Sequence, residues 1–166
     1  MQVRSDFLGM IKHIQDVGGY YEGDFYSTLF EADMVVALED NTYIDYAEKC
    51  INNFNSLSDS TIKFILEKCI NFFKDMYAQY SDDYDEDCNP EHLTVENVLG
   101  DYIEGISINI ETPQNDDILA YQIEILCPID FPVCVIRDNK ILYIGEDTNS
   151  SPWDNFDNAD SNYAKE

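Results

Sequence analysis

The sequence predicts an α+β fold in which an antiparallel β-sheet, made of an N-terminal hairpin and a C-terminal meander, packs against an α-helical pair. Two observations lead to this prediction. The spacing of apolar residues changes along the chain from every second residue to every third or fourth, and then back again. The 166 residues are also 45% hydrophobic, with nine Phe and twelve Tyr, which suits one buried core. We therefore predict a single domain over residues 1–147, followed by an acidic tail over residues 148–166.

The N-terminal hairpin is predicted over residues 20–39, with the letters EAD at 31–33 as its turn. Alternation sends Tyr21, Phe25 and Leu29 to one face, which is expected to join the core. The opposite face combines aromatic rings with carboxylates, and an antiparallel sheet commonly leaves such a face in water. This outward-facing set consists of Tyr20, Glu22, Asp24 and Tyr26.

Two helices are predicted after the hairpin. From about Tyr43, apolar side chains recur at three and four residues, which is typical of one buried helix face. Ser58 is a good N-cap for the second helix, and Asp59 lies in its first turn, where the helix dipole favours an anion. Because only a short segment connects them, the two helices are expected to be antiparallel neighbours.

A short third helix and the meander are predicted next. Thr94 is expected to cap this helix and Gly100 to end it. The letters RDN at 137–139 predict the turn between the last two strands. Both of these strands are apolar on each face, which predicts a position near the centre of the sheet. The predicted strands cover residues 106–111, 118–126, 133–136 and 140–144.

The last stretch, from Gly145 onward, lacks periodicity and is rich in Asp, Asn and Ser. This composition predicts a partly disordered tail. Trp153 is the only tryptophan of the chain. Two roles are open for it: it packs the tail back onto the domain, or it forms part of an interface.

The net charge is the most unusual property of the sequence. Nine Lys and Arg residues stand against 34 Asp and Glu residues, which gives a formal charge of −25. A protein with this charge repels nucleic acid phosphates and anionic lipid headgroups, so we expect no direct nucleic acid partner and no membrane partner. The expected partner is a basic protein. The simpler alternative is that the charge only keeps the protein soluble.

The sequence also predicts where the protein is found. It has no long apolar stretch, and its N-terminal segment lacks the continuous apolar core of a secretory signal. Its five cysteines are an odd number at irregular spacing, as expected of reduced thiols. Both observations predict a cytoplasmic protein.

Residues 80–92, YSDDYDEDCNPEH, hold six acids and no Lys or Arg. Carboxylates bind Arg through paired hydrogen bonds, and tyrosine rings stack on the guanidinium group. The outward-facing hairpin set repeats this combination. We therefore predict that both groups bind a partner, the alternative being a solvated loop and an ordinary wet sheet face. The predicted partner-binding residues are Asp82, Asp83, Tyr84, Asp85, Glu86 and Asp87 in the loop, and Tyr20, Glu22, Asp24 and Tyr26 in the hairpin.

No metal, cofactor or catalytic activity is predicted. The positions counted from Asp85 follow part of a calcium-binding EF-hand loop, but Pro90 stands where the sharp turn requires glycine. Cys88 and His92 are four residues apart, without a second pair of zinc ligands nearby. The chain has two histidines, and neither lies in a recognisable catalytic motif. We therefore expect that the protein is not an enzyme.

The order of hairpin, helix pair and meander ending in CVIRDNKILYIGED, in a small acidic chain, resembles bacterial immunity proteins of contact-dependent inhibition and other polymorphic toxin systems. The resemblance covers roughly residues 1–147 and is one of architecture and charge, so it assigns a role to no single residue. It implies an inhibitor that binds a basic toxin domain, often a nuclease, and blocks its active site or substrate groove.

Three other functions remain open on the sequence. A nucleic-acid mimic that inhibits a DNA-binding protein would use the same electrostatics against a different target. A cation-binding protein is the second, although the interrupted EF-hand pattern argues against it. The third is a housekeeping domain whose charge serves only solubility.

Overall fold

The computed structural model of the protein describes residues 2–5, 8–15 and 19–165. These residues form one eight-stranded sheet, whose strands lie side by side in the order in which they occur along the chain. The strands are β1 (Gln2–Ser5), β2 (Gly9–Ile14), β3 (Tyr20–Ser27), β4 (Ala32–Leu38), β5 (Gly105–Ile110), β6 (Ala120–Leu126), β7 (Pro132–Arg137) and β8 (Lys140–Glu146). The helices are α1 (Ile44–Asn55), α2 (Asp59–Tyr80) and α3 (Val98–Asp101).

The sheet is antiparallel except at one junction, where β4 and β5 run parallel. A parallel pair requires a crossover connection, because the chain must return to the end from which it started. All three helices lie in this crossover between β4 and β5. The predicted α+β fold is therefore confirmed, with one parallel pairing that the sequence did not predict.

The helices cover one face of the sheet. Ser58 caps α2 as predicted, because its hydroxyl accepts a hydrogen bond of 3.2 Å from the backbone N–H of Thr61. Phe54 of α1 meets Phe25 of β3 edge to face, with ring centroids 6.1 Å apart. Among the helices of the described residues, none has both the length and the apolar character that a membrane span requires.

The third helix is shorter than predicted. It begins at Val98, and Thr94 does not cap it; instead, the backbone N–H of Thr94 donates to Asn97 Oδ1 at 2.7 Å. Gly100 lies inside the helix rather than after it. The hydrogen bond between Thr94 and the side chain of Asn97 thus lies within the turn that leads into this helix.

The N-terminal strands differ from the prediction in two details. The turn between β3 and β4 covers residues 28–31, so it starts before the predicted EAD turn and shares only Glu31 with it. Leu29 belongs to this turn rather than to β3. Glu31 closes this turn in the left-handed region, with φ 51°. Two additional strands, β1 and β2, extend the sheet beyond the predicted hairpin.

The last hairpin lies at the edge of the sheet, and the prediction of a central position is wrong for β8. In the strand order of the sheet, β8 is the terminal strand and pairs with β7. Asp138 and Asn139 form the predicted turn, with φ values of 52° and 60° that match the twist of a tight hairpin. Both faces of β8 carry apolar side chains. The segment that follows β8 covers the second of these faces.

Residues 148–165 pack against the sheet, whereas the sequence predicts a partly disordered tail. Phe156 stacks on Tyr143 of β8, with ring centroids 5.2 Å apart, in a small second core on the face opposite the helices. The segment then reaches the helical side, where Tyr163 meets Phe72 of α2 edge to face at 5.7 Å. Trp153 is half-buried and packs against the main core. Isolated aromatic residues, which show no periodicity in the sequence, thus attach this segment to the sheet and to α2.

Asn162 closes the outer edge of β8. Its Oδ1 accepts a hydrogen bond of 3.2 Å from the backbone N–H of Ile144, and its Nδ2 donates to the carbonyl of Leu142 at 2.8 Å. The chain approaches β8 closely here, since a Cβ atom on Gly145 would lie 2.9 Å from the carbonyl oxygen of Ser161. A buried side-chain amide therefore replaces the neighbouring strand that an edge strand lacks.

Replacing Asn162 with alanine is expected to lower the free energy of unfolding by about 1–3 kcal/mol, because two backbone groups of β8 lose their partner. Urea denaturation would measure the loss, and hydrogen exchange should show a less protected Ile144 amide. Asn158→Ala is the matched control, since Asn158 is exposed. Equal unfolding midpoints for the two variants would contradict this role of Asn162.

Candidate protein-binding surface

Most of the face opposite the helices is uncovered over β3 to β6, although the segment after β8 covers Gln122 of β6 by accepting a hydrogen bond from it at Ser150. We call this region the open face. Its residues are the outward positions of these four strands together with Glu39 and Glu111, which directly follow β4 and β5. Part of the open face is a groove of about 490 Å³. The groove is lined by Tyr20, Glu22, Val35, Ala37, Glu39, Ser107, Asn109, Glu111, Gln122 and Glu124, among others.

The strand register determines which side chains are neighbours on the open face. One row across the strands contains Glu22, Ala37, Asn109 and Gln122. The next row contains Asp24, Val35, Ser107 and Glu124. The parallel pairing of β4 with β5 places the predicted hairpin set in the same rows as residues of β5 and β6, which lie far along the chain.

Four carboxylates of the open face were not predicted as part of a site: Asp33, Glu39, Glu111 and Glu124. Alternation in the sequence already indicated that Glu111 and Glu124 point outward. The missing information was the strand order, because alternation assigns a residue to a face but not to a neighbour.

Hydrogen bonds hold Glu124 in place on the open face. The hydroxyl of Ser107 donates to its Oε2 at 3.2 Å, and Nδ2 of Asn109 donates to its Oε1. Both donors are on β5, directly beside β6, which carries Glu124. A carboxylate positioned in this way loses less conformational entropy when it binds a cation than a free side chain would.

Glu39 and Glu111 are also hydrogen-bonded, but their surroundings shift their pKa values in opposite directions. The backbone N–H of Thr112 donates to Glu39 at 2.8 Å, and this bond lowers the pKa of that carboxyl group. Burial raises the pKa of Glu111, although the hydroxyl of Ser151 donates to it at 2.5 Å. Ser151 belongs to the segment after β8, so this segment reaches one border of the groove.

The predicted acidic loop is folded into three short 3₁₀ turns: Ser81–Asp83, Glu86–Cys88 and Pro90–His92. Two contacts attach it to the helical layer. The ring of Tyr84 stacks on that of Tyr77 of α2 at 6.4 Å, and the hydroxyl of Tyr102 donates to the carbonyl of Cys88 at 2.7 Å. The acidic side chains of the loop remain exposed to water; they are Asp82, Asp83, Asp85, Glu86 and Asp87.

The two predicted groups of partner-binding residues therefore lie on different layers of the protein. The loop follows α2 in the helical layer, whereas Tyr20, Glu22, Asp24 and Tyr26 belong to the open face. Tyr84 is half-buried, and burial followed by the nearby charges of Asp130 and Asp83 raises its pKa. In addition, Tyr77 already covers one face of the Tyr84 ring.

Metal-binding groups and reactive thiols are two other kinds of functional site. In the described part of the chain, no group of three or more His, Cys, Asp or Glu side chains is arranged to hold a metal ion. Burial raises the pKa of the Cys50 thiol to about 12, and it also raises the pKa values of Cys69, Cys127 and Cys134. These thiols are therefore protonated at neutral pH. Because the thiolate is the nucleophilic form, none of the four is a reactive thiol.

The fold and this surface define an α+β protein whose sheet has one helix-covered face and one open, anionic face. Residues 10–128, which run from β2 to just past β6, match the family described as Domain of unknown function (DUF6985). The chain belongs to this family. No curated protein and no solved structure matches the chain.

Replacing Glu39 and Glu111 with glutamine should change stability in opposite directions at about pH 7. Glu39 has a lowered pKa, so its contribution is present at neutral pH and is lost as the pH falls through that pKa; Glu39→Gln is therefore destabilising at about pH 7. Glu111 has a raised pKa, so its ionised form costs stability above that pKa, and Glu111→Gln is stabilising there.

Urea denaturation at about pH 7 and about pH 3 would measure both effects, which should shrink at the lower pH because the carboxyl groups become neutral. The two variants are controls for each other, since each removes one negative charge and relieves the same overall repulsion. Identical stability changes at neutral pH would mean that the local hydrogen bond and burial have no effect.

Proposed function

We propose that this protein is a cytoplasmic inhibitor of the immunity type, which binds a basic toxin domain through the open face and blocks its active site or substrate groove. The observation that carries the proposal is the charge of the open face. Its outward positions hold six carboxylates and no Lys or Arg. The six are Glu22, Asp24, Asp33, Glu39, Glu111 and Glu124.

The surroundings of the open face leave most of this charge uncompensated. Lys12 of β2 pairs with Glu22 across the strands, which places one positive charge at the border. Arg137 of β7 donates through Nη1 to the carbonyls of Pro152 and Asp154, so this nitrogen is already used within the protein. A concave surface of one sign attracts a partner of the opposite sign and accelerates its association.

A nuclease toxin suits this surface because it binds phosphates through Lys and Arg side chains. The carboxylates of the open face would occupy the positions of the phosphates. The hydrogen bonds that hold Glu39, Glu111 and Glu124 support this proposal, since positioned acceptors form stronger charge-assisted contacts than mobile ones.

The proposal is tested by capturing the partner in the native host with an affinity-tagged chain and identifying it by mass spectrometry. A basic domain is expected, whose expression alone stops growth and whose toxicity disappears when this protein is co-expressed. A captured DNA-binding protein without toxicity would favour the nucleic-acid-mimic alternative. An acidic or neutral partner would contradict both functions.

Two triple variants with the same change in charge should separate the open face from the acidic loop. We expect Glu22→Lys, Asp24→Lys, Asp33→Lys to weaken binding of the captured partner about tenfold or more and to flatten its salt dependence. Asp83→Lys, Asp85→Lys, Asp87→Lys is expected to have a smaller effect, because the loop lies on the helical layer. Isothermal titration at several salt concentrations would measure both.

The wild-type protein and both variants should have the same circular dichroism spectrum, which controls for misfolding. If the loop variant loses more affinity than the open-face variant, the contact surface has been assigned to the wrong layer. If neither variant loses affinity at low salt, charge does not mediate the contact.

A further inference from the structure

Exposed large hydrophobic side chains are concentrated at one end of the open face. Tyr26 and Phe131 are each 56% exposed, and Val35 and Leu126 are 37% and 40% exposed. Tyr26, Val35 and Leu126 occupy outward positions of β3, β4 and β6, and Phe131 directly precedes β7. We call these four residues the apolar end.

Three residues of the apolar end form a continuous surface. Val35, Leu126 and Phe131 line one hollow of about 300 Å³, together with Gly105 and Ser107 of β5. Gly105 lies between β4 and β6 and pairs with Leu126, so no side chain separates Leu126 from the neighbouring strand. Tyr26 is opposite Asp33 and diagonal to Val35, which keeps its ring within reach of the same area.

Carboxylates surround this apolar area. Glu124 lines the hollow, and Asp24 pairs with Val35 on the neighbouring strand. Asp33 pairs with Tyr26, and Asp130 directly precedes Phe131. An exposed apolar area with a charged border is typical of a protein interaction site rather than of ordinary solvent-facing surface.

We propose that the apolar end is the anchor point for a basic amphipathic segment of a partner protein. Its apolar side chains would fill the hollow at Val35, Leu126 and Phe131, and its Lys or Arg side chains would meet the surrounding carboxylates. The inference rests on the proposed function for the basic character of the partner. It adds that apolar contact, rather than charge alone, holds the partner.

Charge complementarity selects this occupant over the others. A nucleic acid or an anionic membrane would bring further negative charge to the six carboxylates of the open face. A second copy of this chain, with its own charge of −25, would do the same. A wholly polar basic segment would leave Phe131 and Leu126 exposed to water. A basic segment with apolar side chains pairs with the carboxylates and also covers the exposed apolar side chains.

The carboxylates and the apolar side chains of this surface have separable kinetic effects. Long-range attraction by the carboxylates acts on the association rate and depends on salt, whereas buried apolar contacts act mainly on the dissociation rate. Variants of the apolar end should therefore shorten the lifetime of the complex without changing its salt dependence. This separation distinguishes the inference from the proposed function, which concerns charge.

Fluorescein-labelled synthetic peptides would test the inference by anisotropy. The probes are a peptide of alternating Lys and Leu, an oligolysine of the same length, and a peptide of alternating Glu and Leu. We expect the Lys–Leu peptide to bind about tenfold more tightly than oligolysine, and the Glu–Leu peptide not to bind. The double substitution Leu126→Ser, Phe131→Ser should remove this tenfold advantage and leave oligolysine binding unchanged.

Tyr80→Ser is the matched control, since Tyr80 at the end of α2 is as exposed as Leu126, at 40%. Val35→Thr, which nearly preserves side-chain shape, provides a second variant should the double substitution affect folding, and it should also weaken Lys–Leu binding. Equal binding of both basic peptides, unaffected by these substitutions, would overturn the apolar anchor but not the anionic contact.

Binding of the Glu–Leu peptide alone would overturn the proposed function as well, because the surface would then not select basic ligands. Analytical sedimentation would test whether a second copy of the chain occupies the apolar end. Self-association of the unmodified protein that disappears on Phe131→Ser would assign the apolar end to a second copy of the chain and overturn the inference.

Discussion

β4 and β5 run side by side in the same direction, joined by four residue pairs from Val35 with Ser107 to Leu38 with Ile110. This junction connects the N-terminal half of the sheet with the C-terminal half, and the other features of the protein depend on it. It requires the helical crossover, which then covers one face of the sheet. On the other face it places Asp24 and Glu22 in the same rows as Glu124 and Gln122. The backbone N–H of Glu39 continues the junction by donating to Ile110 at 3.1 Å.

Local signals in the sequence were sufficient for most individual elements. Ser58 caps α2 because its capping bond involves only the next three residues, and the turn at Asp138 and Asn139 follows from residues that tolerate positive φ. The failures concern information that is not local. Apolar character on both faces of β8 indicated burial correctly, but the covering layer is Phe156 and its neighbours rather than further strands. Alternation likewise placed Glu124 outward without indicating its neighbours.

The candidate site shows the same division. Tyr20, Glu22, Asp24 and Tyr26 were assigned to a water-exposed face from alternation alone, and the structure places them on the open face. The apolar end was not predicted, because three helices and β5 separate Val35 from Leu126 in the sequence, and the two residues meet only through β5. The acidic loop was the most conspicuous feature of the sequence, yet its carboxylates lie apart from the groove. Density of charge along the chain and density of charge in space are different quantities.

The segment after β8 has a practical consequence for anyone who shortens the chain for crystallisation. The sequence suggests cutting the chain at residue 147. A chain cut there would lose Phe156, which shields Tyr143. It would also lose the amide of Asn162, which hydrogen-bonds to the backbone of β8. The truncated protein would present a bare, apolar terminal strand, and such strands recruit one another into intermolecular sheets. Trimming would then yield fibrous precipitate in place of a monodisperse sample.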